Sequence, residues 1–281
     1  MKIYLPIKIN TTLKIRGIDN RGYHLIESVF LALRGGDAIK IEPSERFRVL
    51  YRGKFAQEPR RLSFRGEDTV SRAYAILKSR DFHPHPVRVE VFKNIPPGSG
   101  LGAGSADAAS IFYYFWEKGI LSEEEAISLS GEVGSDVPFF VGVLLKKRVL
   151  WRVSGRGDRI EPDSLENFQK KYLVVVPDIT MSTAEVYRKY DELRLRGYDF
   201  DEYSNHLFPA ALDLDVRLGV FYKIGFKMTG SGSAFFTEVD DGKKVRELVK
   251  KVKKKATEAG FGLSKIFVSG PYDFRGVLPK K

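Results

Sequence analysis

Three groups of residues in this chain have the types and spacing to do chemistry. The first is KNIPPGSGLGAGSADAA over 93–109, where Gly98, Gly100, Gly102 and Gly104 alternate with small or apolar residues. Glycine tolerates positive φ and lets another group approach the backbone closely. A loop of this kind opening into a helix exposes unpaired N–H groups at the positive end of the helix dipole, which attracts phosphate. Ser99 and Ser105 add hydroxyl donors. The second is Asp136, an isolated carboxylate in the apolar segment GSDVPFF at 134–140. A carboxylate within reach of an alcohol can act as general base. The third is the alternating stretch KIYLPIKINTTLKIR at 2–16, whose Lys8 and Asn10 share the strand face opposite Ile7 and Ile9. Each also has a plainer reading: a tight turn packing a helix on a sheet, a helix or turn cap, and a solvated strand residue.

The familiar phosphate signatures do not account for the loop. Walker A requires a Lys after its last glycine, and none follows here; the dinucleotide fingerprint fails because its sixth place falls on Ala103, Ser105 or Asp107. Four glycines and two serines at a helix start still favour an anion site.

The elements that must position these residues follow from periodicity. VRVEVF (87–92) alternates as a half-buried strand leading into the loop, and 105–118 reads as the helix that leaves it. A helix is expected over 69–79, with Val70, Ala73 and Leu77 on one stripe, and a capping box at Ser122 and Glu125 opens a helix through Leu129. Extended segments are expected at 2–16, at LIESVFLAL after the DNRG turn (19–22), at AIKIEP and at FRVLY. Pro138 is expected to keep Val137 out of the helical region, and 143–159 reads as hairpin strands turning at GRGD (155–158). A change of composition over 160–171 divides the chain into domains 1–160 and 161–281. Beyond it come a buried strand at YLVVVP and a second capping box at Ser182 and Glu185 opening a helix over 183–196. A helix over 205–212 is interrupted by Pro209, and FKMTGSGSAFFTEV (226–239) reads as strand, glycine turn, strand. A basic helix over 243–259 is ended by Gly260, and IFVSG is a last strand.

Composition excludes several classes. At 281 residues, 43% hydrophobic and 30% charged, the chain can bury a core, and its longest apolar run is far too short to span a bilayer. The absence of cysteine removes disulfides, thiol nucleophiles and cysteine metal sites. Lys8 falls where a signal peptide needs its apolar centre, so a cytoplasmic protein is expected. A net charge of +11 attracts anions, from phosphorylated small molecules to nucleic acids. The basic helix nevertheless keeps Val245, Leu248, Val249 and Val252 for the core and reads as a solvated helix rather than a nucleic-acid surface. HPHP (83–86) reads as a rigid loop, and no acidic pair marks a metal site.

IPPGSGLGAGSADAA resembles the phosphate loop of the GHMP kinases. Three further stretches are similar to the 4-diphosphocytidyl-2-C-methyl-D-erythritol kinases within that superfamily: PIKIN (6–10) with GYH (22–24), GSDVPFF (134–140) and MTGSGSAFF (228–236). The resemblance implies an α+β, two-domain GHMP kinase fold: an N-terminal domain like ribosomal protein S5 domain 2, a ferredoxin-like α/β C-terminal domain, and one left-handed β-α-β connection. It implies ATP-dependent phosphorylation of the 2-hydroxyl of the cytidyl-linked methylerythritol, with Mg²⁺ accompanying ATP and no protein ligand for it identified. Lys8 and Asp136 match the catalytic pair. Pro96, Pro97, Gly98, Ser99, Gly100, Leu101, Gly102, Ala103, Gly104, Ser105 and Ala106 match the ATP loop, and Asp68 and Lys93 match positions near the adenine. Asn10, Tyr23, His24, Asp136 and Tyr187 match substrate positions, the two tyrosines and the histidine around the cytosine. Departures from the pattern are Ile7 for alanine, Asp68 for asparagine, Asn205-His206-Leu207-Phe208 in place of an acidic stretch, and Gly142 alone where two glycines are usual. A monomer or homodimer is expected. The alternatives are a GHMP kinase acting on another small alcohol such as mevalonate or homoserine, and a non-enzymatic nucleotide or RNA binder.

Overall fold

The structure, a computed structural model, describes residues 1–56, 68–163, 169–240 and 242–274. Most of the polar stretch before Asp68 and the middle of the 160–171 composition change lie outside the described residues. Three four-stranded sheets carry the fold. The first has the order β1 (Lys2–Tyr4), β4 (Ala38–Pro43), β6 (Val87–Phe92), β5 (Arg48–Arg52). In it β5 runs parallel to β6, and the connection between them carries α1 (Thr69–Ser79). The second is antiparallel, in the order β2 (Ile7–Ile18), β3 (His24–Leu33), β7 (Leu150–Gly155), β8 (Arg159–Pro162). The third, also antiparallel, has the order β10 (Lys227–Met228), β11 (Phe235–Val239), β9 (Lys171–Pro177), β12 (Leu263–Ser269).

Helix α2 (Ala103–Glu117) is buried on nearly every side and forms the axis of the N-terminal half. Its Phe112, Tyr114 and Phe115 share one core with Phe139 and Phe140 of α4 (Val137–Lys146) and with Trp151 of β7. The short helix α3 (Glu123–Ser130) lies between them, opened by the expected reciprocal cap of Ser122 and Glu125. Two expectations need correction here. Residues 143–146 are helix, not strand: 137–145 is buried all round, so its apolar residues show no stripe to separate it from a buried strand. Val137 is helical despite Pro138, because a proline in the first turn gives up only an N–H that has no intrahelical partner. The same reason corrects Pro209, which opens α6 (Phe208–Leu214) instead of interrupting a helix. Helix α2 also starts two residues earlier than expected, with Gly102 as its N-cap.

In the C-terminal half, α5 (Thr183–Leu195), α6 and α8 (Gly242–Glu258) cover one face of the third sheet. Helix α8 turns Val245, Leu248, Val249 and Val252 to that core and its lysines outward, as read from the sequence. The halves are joined by a shared apolar layer: Ile7, Ile9, Leu31 and Leu33 of the second sheet pack with Val174, Val176 and Phe236 of the third. Tyr272 and Phe274 return to the first core. This joint fixes the mutual position of β2, the start of α2 and the loop between β10 and β11, and the site lies where those three meet.

Candidate active site

The glycine loop leaves β6 and enters α2 through Gly98, Gly100 and Gly102, with φ of 70°, 78° and 73°. These values favour glycine, and at two of the positions space demands it as well. A Cβ on Gly100 would lie 2.6 Å from the Thr229 carbonyl oxygen and 2.9 Å from that of Gly232. One on Gly102 would lie 2.8 Å from the Phe140 ring and 3.1 Å from Lys8 Cγ. The loop therefore threads between the β10–β11 loop and the β2 face, and Ala234 N–H donates to the Ser99 carbonyl at 3.0 Å. Ala103, Gly104 and Ser105 occupy the first three helical positions, whose N–H groups have no intrahelical acceptor. They line a cleft of about 390 Å³ together with Lys8, Asn10, Asp136 and Gly230.

Lys8 and Asn10, expected on the polar face of a half-buried strand, are 4% and 2% exposed because the two glycine loops close over that face. A buried ammonium needs compensating partners. Lys8 Nζ lies 3.3 Å from Asp136 Oδ2, donates to Asn10 Oδ1 at 2.8 Å and stands 4.6 Å from the centre of the Phe30 ring. Asn10 Oδ1 also accepts from Thr229 Oγ1 at 3.1 Å and from Gly230 N–H at 2.9 Å, while its Nδ2 donates to Ser28 Oγ at 3.0 Å. One amide thus ties the lysine to the loop of the other half. Asp136 stands at the N-cap of α4, yet its side chain makes no cap bond. It turns toward Lys8 and the cleft, so neither plain reading, cap or solvated lysine, describes the pair.

A second cavity, of about 850 Å³, shares Gly134, Ser135, Arg156 and Tyr187 with the first. Tyr23, His24 and Tyr187, expected to act together, all line it. His24 Nε2 donates to Asp191 Oδ1 at 2.9 Å, and its ring lies 4.7 Å from that of Tyr187. Tyr23 is exposed, with the Arg156 guanidinium 5.1 Å over its ring. Burial, with the Asp136 carboxylate adding to it, pushes the Tyr187 phenol up, so it remains a neutral donor.

Other expected residues lie elsewhere. Lys93 is a correction: it lines neither cavity, because its charge is engaged by Asp107 at 2.8 Å and by Asp37. Burial alone would lower this ammonium, but the two carboxylates outweigh it and hold it up at about 12. Asp37 Oδ1 also accepts from Ile95 N–H at 3.0 Å, so the triad anchors the root of the glycine loop. Asp68, likewise assigned to the adenine, is instead the N-cap of α1: its Oδ1 accepts from Ser71 N–H at 2.9 Å and from the Tyr51 hydroxyl at 2.7 Å. Leu101 and Ala106 point into the core, and the remaining loop residues, Pro96 to Ser105, line the cleft. Residues not singled out from the sequence include Thr183 and Ser231, whose hydroxyls meet at 2.9 Å on the cleft wall. Asn205 is another: its Nδ2 donates to the carbonyls of Met228 and Gly230 at 3.0 and 2.9 Å and so holds the second loop. The glycines and serines of MTGSGSAFF were the available signal for that loop; nothing local marks Asn205.

The description "GHMP kinases N terminal domain" matches residues 68–142, the segment that contains the loop and Asp136. A 4-diphosphocytidyl-2-C-methyl-D-erythritol kinase of Nitrosococcus oceani is 31% identical over 251 residues, covering 84% of this chain and 84% of the relative. One of Caldanaerobacter subterraneus subsp. tengcongensis is 29% identical over 291 residues, covering 99% of this chain and 94% of the relative. A crystal structure of 4-(cytidine 5'-diphospho)-2C-methyl-D-erythritol kinase superposes with a TM-score of 0.66 at 25% identity, covering 96% of this chain and 98% of the other. The α+β, two-domain architecture is thus the GHMP kinase fold, and the chain belongs to the 4-diphosphocytidyl-2-C-methyl-D-erythritol kinase family.

Proposed function

We propose that this chain transfers the γ-phosphoryl group of ATP to the 2-hydroxyl of 4-diphosphocytidyl-2-C-methyl-D-erythritol, a step of non-mevalonate isoprenoid precursor synthesis. The observation that carries the reading is the Lys8–Asp136 pair, 3.3 Å apart, standing between a glycine cradle and a cavity lined by Tyr23, His24 and Tyr187. Phosphoryl transfer asks the protein for positioning and charge stabilisation more than for covalent chemistry. The N–H groups opening α2, with Ser99 and Ser105, hold the triphosphate at the helix's positive end. Asp136 accepts the proton of the attacking hydroxyl as the P–O bond forms and the γ–β bridge breaks to leave ADP. Lys8 stabilises the charge growing on the attacking oxygen, and Asn10 keeps its ammonium aimed there. Tyr23 and Tyr187 offer ring faces to the cytosine, and His24 offers a polar edge.

Mg²⁺ is expected to enter with ATP and to neutralise phosphate charge. Among the described residues no group of three or more His, Cys, Asp or Glu converges on a metal position. Serine hydroxyls and one carboxylate at the cradle suit a hard cation that keeps its waters and is held chiefly by the nucleotide. The domain boundary at 160–161 fits the assignment of the first two sheets to the N-terminal unit and the third to the C-terminal unit. We read the enzyme as cytoplasmic and as a monomer or homodimer; among the described residues no helix is long and apolar enough to cross a membrane.

The test is a substrate panel followed by coupled ADP detection. Turnover is expected with the cytidyl substrate and not with mevalonate or homoserine. Turnover on mevalonate with none on the cytidyl compound would overturn the reading.

A further inference from the structure

The GRGD turn, noticed in the sequence only as a turn, is built into the site. It joins β7 to β8 with Gly155 at φ 66° and Gly157 at φ 102°. Gly157 N–H donates to the Ser154 carbonyl at 3.1 Å, and Arg156 N–H donates to Asp158 Oδ1 at 3.0 Å, which fixes the tip. A Cβ on Gly157 would lie 3.2 Å from Ser135 Cβ. The turn therefore rests directly on the residue before Asp136, and its tip side chain, Arg156, reaches over the face of Tyr23.

The lining of the two cavities gives this residue a particular place. Among the described residues, Lys8 borders only the smaller cavity, Arg72 and Arg188 border only the larger, and Arg156 is the cation common to both. A ligand that sets a pyrimidine among Tyr23, His24 and Tyr187 while its hydroxyl reaches Asp136 must pass its connecting atoms by Gly134, Ser135 and Arg156. In a cytidyl substrate those connecting atoms are a diphosphate. We propose that Arg156 is a specificity-determining residue that binds this diphosphate bridge and so separates diphosphate-linked acceptors from the small alcohols used elsewhere in the superfamily. The inference rests on the cytidyl reading above.

The chemistry fits. A guanidinium presents paired donors to phosphoryl oxygens and stacks on an aromatic face, here Tyr23, which limits the freedom lost on binding. Its protein partner is weak: Asp158 Oδ2 is 3.7 Å from Arg156 Nη2, both side chains are partly exposed, and a phosphate can replace that contact at little cost.

Calorimetric titration of the full chain with cytidine, CMP and CDP tests the proposal, using wild type, Arg156→Gln and Arg156→Lys. Wild type should bind CDP about tenfold more tightly than CMP, a difference of about 1.4 kcal/mol. Arg156→Gln should bring the two within about twofold of each other, Arg156→Lys should retain part of the preference, and cytidine affinity should stay level as the internal control. A CDP preference unchanged in Arg156→Gln overturns the inference while leaving the cytidyl reading intact. So does a parallel loss of cytidine affinity, which would mean that Arg156 acts by holding Tyr23. If wild type takes up none of the three, the cytidyl reading fails and takes the inference with it.

Discussion

At the scale of single residues the site reduces to who holds the Lys8 ammonium. Asp136 faces it from the start of α4 and Asn10 from two positions along the same strand. Asp136→Ala should lower kcat by about 10²–10⁴, the range expected for loss of a general base. The variant should still bind a non-hydrolysable ATP analogue, since the cradle lies on another element. Wild-type turnover in Asp136→Ala would remove the assignment. Asn10→Ala should act differently. It strips Lys8 of an acceptor and leaves the Gly230 N–H and the Thr229 hydroxyl without theirs. Both kcat and thermal stability should therefore fall, the latter by about 1–3 kcal/mol for buried groups left unpaired. A loss of kcat at unchanged Tm would show that the amide serves the reaction without bracing the two halves.

At the scale of elements, the closest approach in the site is between two glycine loops more than a hundred residues apart. Gly100→Ala would drive a methyl group against backbone carbonyl oxygens, which unlike a side-chain end cannot rotate away. Its φ of 78° adds strain for any residue with a Cβ. A rise in KM for ATP and a stability loss of about 1–3 kcal/mol are expected, read from kinetics and a melting curve. Gly104→Ala is the stability control: nothing lies nearer than Thr69 Oγ1 at 3.7 Å, the residue is helical, and alanine favours the helix, so Tm should hold or rise. Full tolerance of alanine at position 100 would mean that the loops are not in contact. Each loop was legible in the sequence by its glycines, and the strands and caps around them by period and by Ser–Glu spacing. Their meeting was not legible, because a contact between backbones leaves no mark on side-chain pattern. Lys93 and Asp68 were misplaced for a related reason: matching a position says nothing about whether a neighbouring charge or an adjacent helix start will claim the side chain. Helix α4 was misread because complete burial erases the period on which such a reading depends.

At the scale of the whole molecule, each half buries one titrating group out of its usual range, and the two act in opposite senses. Asp107, beneath the glycine loop, is pushed up to about 7 by burial: it shares Lys93 with Asp37, and its Oδ1 is buried without a hydrogen-bond partner. Between about pH 4 and 7 the folded chain therefore keeps a proton that the unfolded chain has released, and stability from this group falls as pH rises. His206, in the segment that joins β2 to α6, is pulled down to about 4, first by burial and then by the Lys14 ammonium. Its Nδ1 accepts the Ile15 N–H at 3.1 Å, and its Nε2 is buried without a hydrogen-bond partner. Between about pH 4 and 6.5 the unfolded chain takes up a proton that the folded chain refuses, so stability from this group rises with pH. The two slopes oppose one another over nearly the same interval and mask each other in the wild-type curve. Asp107→Asn should unmask the histidine, giving a Tm that climbs more steeply than wild type from pH 4 to 6.5. His206→Asn, which keeps an acceptor for Ile15, should unmask the aspartate and tilt the curve the other way. Each kcal/mol of difference should appear as a shift of roughly 2–4 °C at this chain length. Referring each variant to wild type at the same pH cancels the surface carboxylates, which are common to all three proteins. Curves that stay parallel to wild type in both variants would show that neither group titrates between folded and unfolded states, and that the buried charge is balanced in both halves by partners already in place.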